Sequence, residues 1–117
     1  MKLLIVEDNQ EMRELIKFVV GDLADAVTEC GDGSEAVAAY AAQQPDWVLM
    51  DMEMPRVGGL AATRRLRAVW PEARIVIVTY YDDDHYRAAA HAAGACAYVT
   101  KEDLLPLRQL FLRHSNV

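Results

Sequence analysis

Five short apolar, β-rich runs divide the sequence: Leu3 to Val6, Ala26 to Thr28, Trp47 to Met50, Ile75 to Val78 and Ala97 to Thr100. Four of them lack any alternation of apolar and polar residues. A strand with one wet face alternates, so an unbroken apolar run fits a strand covered on both faces, as in a parallel sheet between two helical layers. The intervening stretches carry helical periodicity. The clearest sets Met12, Leu15, Ile16, Val19 and Val20 on one face, with Gly21 placed to end the helix as a C-cap. A second helix is expected over Ser34 to Gln43, burying Val37, Tyr40 and Ala41, and a third over Leu60 to Val69, ending before Trp70 and Pro71 because the residue preceding proline avoids helical angles. Asp84 to Ala93, closed by Gly94, reads as the fourth, and Asp103 to Arg113, with Pro106 in its first turn, as the fifth.

Strand and helix thus alternate five times with no repeat, linker or low-complexity segment. The expected fold is α/β: a doubly wound (βα)5, flavodoxin-like three-layer sandwich with parallel strand order 2-1-3-4-5. At 117 residues the chain has room for one domain, spanning 1–117. With 53% hydrophobic residues it can bury about 65% of the surface its unfolded form exposes. The net charge of −6 repels phosphate backbones and anionic lipid, which argues against direct nucleic-acid binding or a membrane surface. The run before Glu7 is too short for a signal peptide, and two isolated cysteines, Cys30 and Cys96, read as buried reduced thiols, so the cytoplasm is the expected location.

In such a sheet the order reverses between strands 1 and 3, and a site forms at their carboxyl ends. Those ends carry Glu7 and Asp8 after strand 1, Asp51 after strand 3, Thr79 after strand 4, and Thr100 with Lys101 after strand 5. Carboxylates brought within about 4 Å repel by about 4 kcal/mol per pair at an effective dielectric near 20, which calls for a cation. Hard oxygen ligands beside phosphate chemistry point to Mg²⁺. One carboxylate could then attack phosphorus while Lys101 and the Thr79 hydroxyl hold the transferring oxygens. Other polar clusters carry less. Asp82 to Asp84 read as a cap for the fourth helix, Arg64, Arg65 and Arg67 as a solvated face, and His85, His91 and His114 as surface residues.

VEDN after strand 1, GDGSEAV at the second helix, VLMDMEMPRVGGL through strand 3, IVIVT on strand 4 and AYVTKEDL at strand 5 together resemble the receiver domains of two-component response regulators. The KED stretch is similar to receivers that precede helix-turn-helix output domains. The resemblance implies that Asp51 is the phosphoacceptor and that Asp8, Asp51 and the backbone carbonyl of Glu53 hold Mg²⁺, with Glu7 in the outer acidic position. It implies that Thr79 and Lys101 bind phosphate and that Tyr98 is the switch aromatic. It also implies a histidine kinase or phosphotransfer protein as donor, and dimerisation or effector docking through the fourth helix, fifth strand and fifth helix. Two rival readings are a pseudo-receiver interaction module and a Mg²⁺-dependent phosphatase with an aspartyl nucleophile. Tyr80 departs from the family, which usually has a small residue after the threonine. Its ring either packs on the fourth helix or shields Asp51.

Overall fold

The computed structural model describes residues 1–115. Five parallel strands, β1 (Lys2–Val6), β2 (Ala26–Cys30), β3 (Trp47–Asp51), β4 (Ile75–Thr79) and β5 (Ala97–Thr100), form one sheet in the order β2-β1-β3-β4-β5. Five helices connect and flank them: α1 (Gln10–Val20), α2 (Ala36–Gln43), α3 (Gly59–Val69), α4 (Asp84–Ala93) and α5 (Leu105–Ser115). Alternation along the strands sorts the core into two layers. Leu3, Ile5, Leu49, Val76 and Val78 meet Met12 and Ile16 of α1 and Leu107 and Phe111 of α5. Leu4, Val6, Val48, Met50, Ile75 and Ile77 face Tyr40, Ala62, Leu66 and Ala90 from α2, α3 and α4. β3 and β4 are buried along their whole length, as strands in the middle of such a sheet must be. No helix among the described residues is long and apolar enough to cross a membrane.

The sequence-based expectations fail mainly at element ends and exposed faces. Gly21 ends α1 as its C-cap, as expected, with a right-handed φ of −60°, and leads into a 3₁₀ turn over Gly21–Leu23. Gly94 closes α4 as expected, and does so in the left-handed region, with φ 109°. A 3₁₀ turn over Gly33–Glu35 takes the start assigned to the second helix, because Asp32 accepts the Ser34 N–H and tightens the chain there. Leu15 and Ala41 are exposed, each at the edge of its helix's apolar face. The fifth helix starts at Leu105, since Asp103 accepts the Leu105 N–H as a turn before it. Cys30 is buried, but Cys96 is exposed, lying in the turn between Gly94 and β5.

Candidate functional site

The carboxyl ends of β1, β3, β4 and β5 enclose a crevice of about 700 Å³ whose walls include Glu7, Asp8, Asp51, Glu53, Thr79 and Lys101. Register produces this meeting. β3 pairs with β4 so that Asp51 lies opposite Val78, and β4 pairs with β5 so that Thr79 lies opposite Thr100. The Lys101 N–H then donates to the Thr79 carbonyl at 2.7 Å, fixing the lysine one residue beyond the sheet edge. Its side chain turns inward to Glu7 Oε1 at 2.8 Å and Asp51 Oδ1 at 3.0 Å.

Glu7 is held as firmly as any residue in the site. Its carboxylate accepts the Asn9 N–H at 3.1 Å, and its carbonyl accepts Arg13 Nη1 at 2.7 Å. Asn9 in turn caps α1 by accepting the Met12 N–H at 2.8 Å. Glu7, Asp8 and Asp51 offer carboxylate oxygens that all lie within 4.8 Å of one another, Asp8 being the exposed member. Burial and the neighbouring Glu7 push the Asp51 carboxyl up to about 7, against the opposing pull of Lys101. Burial works against the charge on Lys101, but its bonds to Glu7 and Asp51 outweigh this and hold its pKa above the ordinary value. Among the described residues, the one ammonium paired with this three-carboxylate cluster is Lys101, through Glu7 and Asp51. That surplus of hard oxygen donors fits a divalent cation such as Mg²⁺.

The chain matches the family model for the response regulator receiver domain over residues 3–110. It belongs to the response regulator receiver family. The response regulator GacA of Pseudomonas aeruginosa is 33% identical over 117 residues, covering 94% of this receiver and 55% of that protein. The response regulator MprA of Mycobacterium avium is 32% identical over 120 residues, covering 99% of the receiver and 53% of that protein. The receiver spans about half the length of the curated relatives it matches. Among solved structures, the BeF3-activated N-terminal receiver domain of RstA from Klebsiella pneumoniae superposes with a TM-score of 0.85 at 32% identity, covering 97% of this chain and all 100% of that one. A DNA-binding response regulator of the LuxR family from Staphylococcus aureus gives 0.85 at 24% identity over 98% of each chain, a likeness of fold alone.

The other candidate residues lie at the end of β4, in the loop that follows it, and on β5. Thr79 is buried, and its hydroxyl accepts the Tyr81 N–H at 3.3 Å. Tyr98 is half-buried on β5; its hydroxyl donates to the Tyr81 carbonyl at 2.6 Å, and the Arg87 guanidinium lies 4.7 Å from its ring centroid. Tyr80 is 59% exposed, lines the crevice, and has its ring centroid 5.2 Å from Lys101 Nζ. Tyr81, not Tyr80, takes the packing role on α4, stacking on Tyr86 with ring centroids 4.8 Å apart. A hydrogen bond with the Glu53 carboxylate is the main cause that raises the Tyr81 phenol above its ordinary pKa. Trp47 begins β3 and so sits at the opposite end of the sheet from Asp51, where Arg74 and Phe111 surround it. Its fluorescence is therefore no direct monitor of metal at the acidic end.

Sequence reasoning missed three residues of the site's framework. Asp32 accepts backbone N–H groups from both its own turn and the loop after β3. Gly59 packs so closely on the Asp51 carbonyl that an added Cβ would stand 2.0 Å from that oxygen. Tyr81 links Thr79, Tyr98, Glu53 and α4. A GDG turn and a GG pair are visible in the sequence, but their partners lie too far along the chain to be read from it.

Proposed function

We propose that this receiver is a phosphorylation-dependent switch, taking a phosphoryl group from a phosphohistidine of a histidine kinase or phosphotransfer protein onto Asp51 with Mg²⁺. The observation that carries the reading is the placement of Asp51 within 3.0 Å of Lys101 Nζ, inside a cluster whose carboxylates outnumber their cation. Asp8, Asp51 and the Glu53 carbonyl are the protein oxygens that would hold the metal, with Glu7 outside them. When bound, Mg²⁺ supplies positive charge against the carboxylates and the phosphoryl oxygens. Asp51 must be ionised to act: one carboxylate oxygen forms the new O–P bond as the P–N bond to the donor imidazole breaks, and that imidazole retains the electron pair and a proton. Lys101 Nζ neutralises one phosphoryl oxygen, and the Thr79 hydroxyl, released from the Tyr81 N–H, donates to another.

The acyl phosphate adds about 1.5 to 2 negative charges to the crevice. Turning Thr79 toward them withdraws the hydroxyl that fixes Tyr81, whose carbonyl is the partner of Tyr98. Tyr98 then turns inward, and the surface of α4, β5 and α5 changes for a dimer partner or effector. In this reading residues 1–117 are one cytoplasmic receiver domain, a switch that catalyses only its own phosphoryl transfer and loss. It controls transcription through an output domain and has no nucleic-acid contact of its own. The test is intact mass after incubation with a small acyl phosphate. One phosphoryl adduct is expected with Mg²⁺, none with chelator, and none in Asp51→Asn. An unmodified parent, or a labelled Asp51→Asn, would refute the assignment.

A further inference from the structure

The loop from Met52 to Gly58 carries Glu53 along the wall of the crevice, and its far half is tied to a different part of the chain. Asp32 is 8% exposed, and its carboxylate accepts three backbone N–H groups. Oδ1 accepts the Arg56 N–H at 3.0 Å, while Oδ2 accepts Val57 N–H at 3.2 Å and Ser34 N–H at 2.8 Å. The next residue completes the clamp: Gly33 N–H donates to the Val57 carbonyl at 3.2 Å, and a Cβ on Gly33 would stand 2.4 Å from that same oxygen. At the loop's other end Gly59 N–H donates to the Met52 carbonyl at 2.8 Å. Glu53 therefore lies between two fastened points. A helix cap needs one N–H acceptor, yet Asp32 spends two of its three bonds on residues 24 and 25 positions away. Backbone bonds to Arg56 and to Ser34 are the leading causes that bring its carboxyl down to about 2, so the charged form persists across the physiological range.

We infer that Asp32 is a positioning residue for metal binding: by clamping Arg56 and Val57 it sets the path of the loop and so aims the Glu53 carbonyl at the cation held by Asp8 and Asp51. The inference rests on the Mg²⁺ site of the proposed function. It adds a carboxylate outside the crevice that acts only through the backbone. A carbonyl has no rotamer of its own to adjust, so its direction depends on the peptide planes beside it, and outer supports of this kind typically govern metal affinity by about 10-fold to 100-fold.

Mg²⁺ titrations of parent, Asp32→Ala and Asp32→Asn, followed by backbone amide NMR shifts, give the test. Affinity should fall about 10-fold in Asp32→Ala. Asp32→Asn, which keeps one acceptor oxygen, should fall between it and the parent and remains decisive if the alanine variant does not fold. Exchange of the Arg56 and Val57 amides should quicken in both. Phosphorylation by a small acyl phosphate should need more Mg²⁺ for half-saturation but approach the parental maximum rate at saturating metal, a split that mere loss of stability would not produce. Parental Mg²⁺ affinity in a folded variant, or a lowered maximum rate with unchanged affinity, overturns the positioning role alone. A parent that binds no Mg²⁺ overturns the proposed metal site and this role together.

Discussion

The loops that follow β3 and β4 both border the crevice, but they are built in opposite ways. Residues 52–58 are fastened by bonds between backbone and a buried carboxylate, and by two glycines pressed against carbonyl oxygens. Residues 80–83 are exposed throughout. Side chains hold this second loop: the Tyr98 hydroxyl on the Tyr81 carbonyl, the Tyr81 and Tyr86 stack, and an exposed ion pair between Arg87 and Asp82 at 2.6 Å. Exposed pairs of this type contribute about 0 to 1 kcal/mol. The contrast separates two tasks. A loop meant to present a metal ligand gains from being rigid, whereas one meant to answer a new charge needs bonds that exchange at little cost.

Crowding the rigid loop should have the largest effect. Gly59→Ala forces backbone to move beside Asp51, and overpacking of this sort should destabilise by about 3 kcal/mol. Urea unfolding that showed parental stability would mean the β3 loop is looser than its contacts imply.

A smaller effect comes from the charge beside that loop. Folding raises the Asp51 pKa from 3.8 to about 7, so its protonated form is favoured in the folded state. Its contribution to stability is therefore complete below the unfolded value and lost as pH climbs toward the folded one. Metal-free protein should lose stability between pH 4 and 7 from this group, and Asp51→Asn should remove that slope and be the more stable form at pH 8 by on the order of 1 kcal/mol. Denaturant midpoints across this range, with chelator present, decide it; an identical slope in the variant would contradict the assignment.

On the second loop, Tyr98→Phe removes one hydrogen bond and should cost about 0.5 to 1 kcal/mol. Amide exchange should quicken over residues 80–83 while Arg56 and Val57 keep their protection. Faster exchange in both loops would show that they are not independent. The smallest change in stability is expected for Tyr80→Ala, within about 0.5 kcal/mol. If the ring beside Lys101 hinders approach to Asp51, this variant should gain and lose phosphate faster with little change in Mg²⁺ affinity. Equal rates would assign Tyr80 to the surface.

The strands, their parallel pairing and the acidic end were legible because each depends on local pattern: buried runs, helical spacing, and chemistry placed one or two residues past a run. Glu7, Asp51, Thr79 and Lys101 come together as that logic requires. Asp32 was not legible, since its importance lies in two amides 24 and 25 residues downstream that any residue could have supplied. The two tyrosines after Thr79 left their placement open. Alternation alone cannot say which ring faces α4 once the strand has ended, and Tyr81 takes that place through its stack on Tyr86. Cys96 and Ala41 carry apolar side chains outside the core because a short turn and a narrow helix face leave them there.

The pairing order of the sheet also has a consequence for how the molecule forms. β1 and β3 are direct neighbours, while Lys101 arrives with β5, the last strand in sequence and an edge of the sheet. A chain that has closed β1, β3 and β4 before β5 docks holds Glu7 and Asp51 near each other without their ammonium. Docking of β5 therefore completes the sheet and brings in the first counter-charge of the crevice in one event, and mild acid or a divalent ion should speed the approach to that point. Refolding rates measured with and without Mg²⁺ would expose this ordering, because neutralisation ahead of β5 removes the repulsion that the unfinished sheet must otherwise bear.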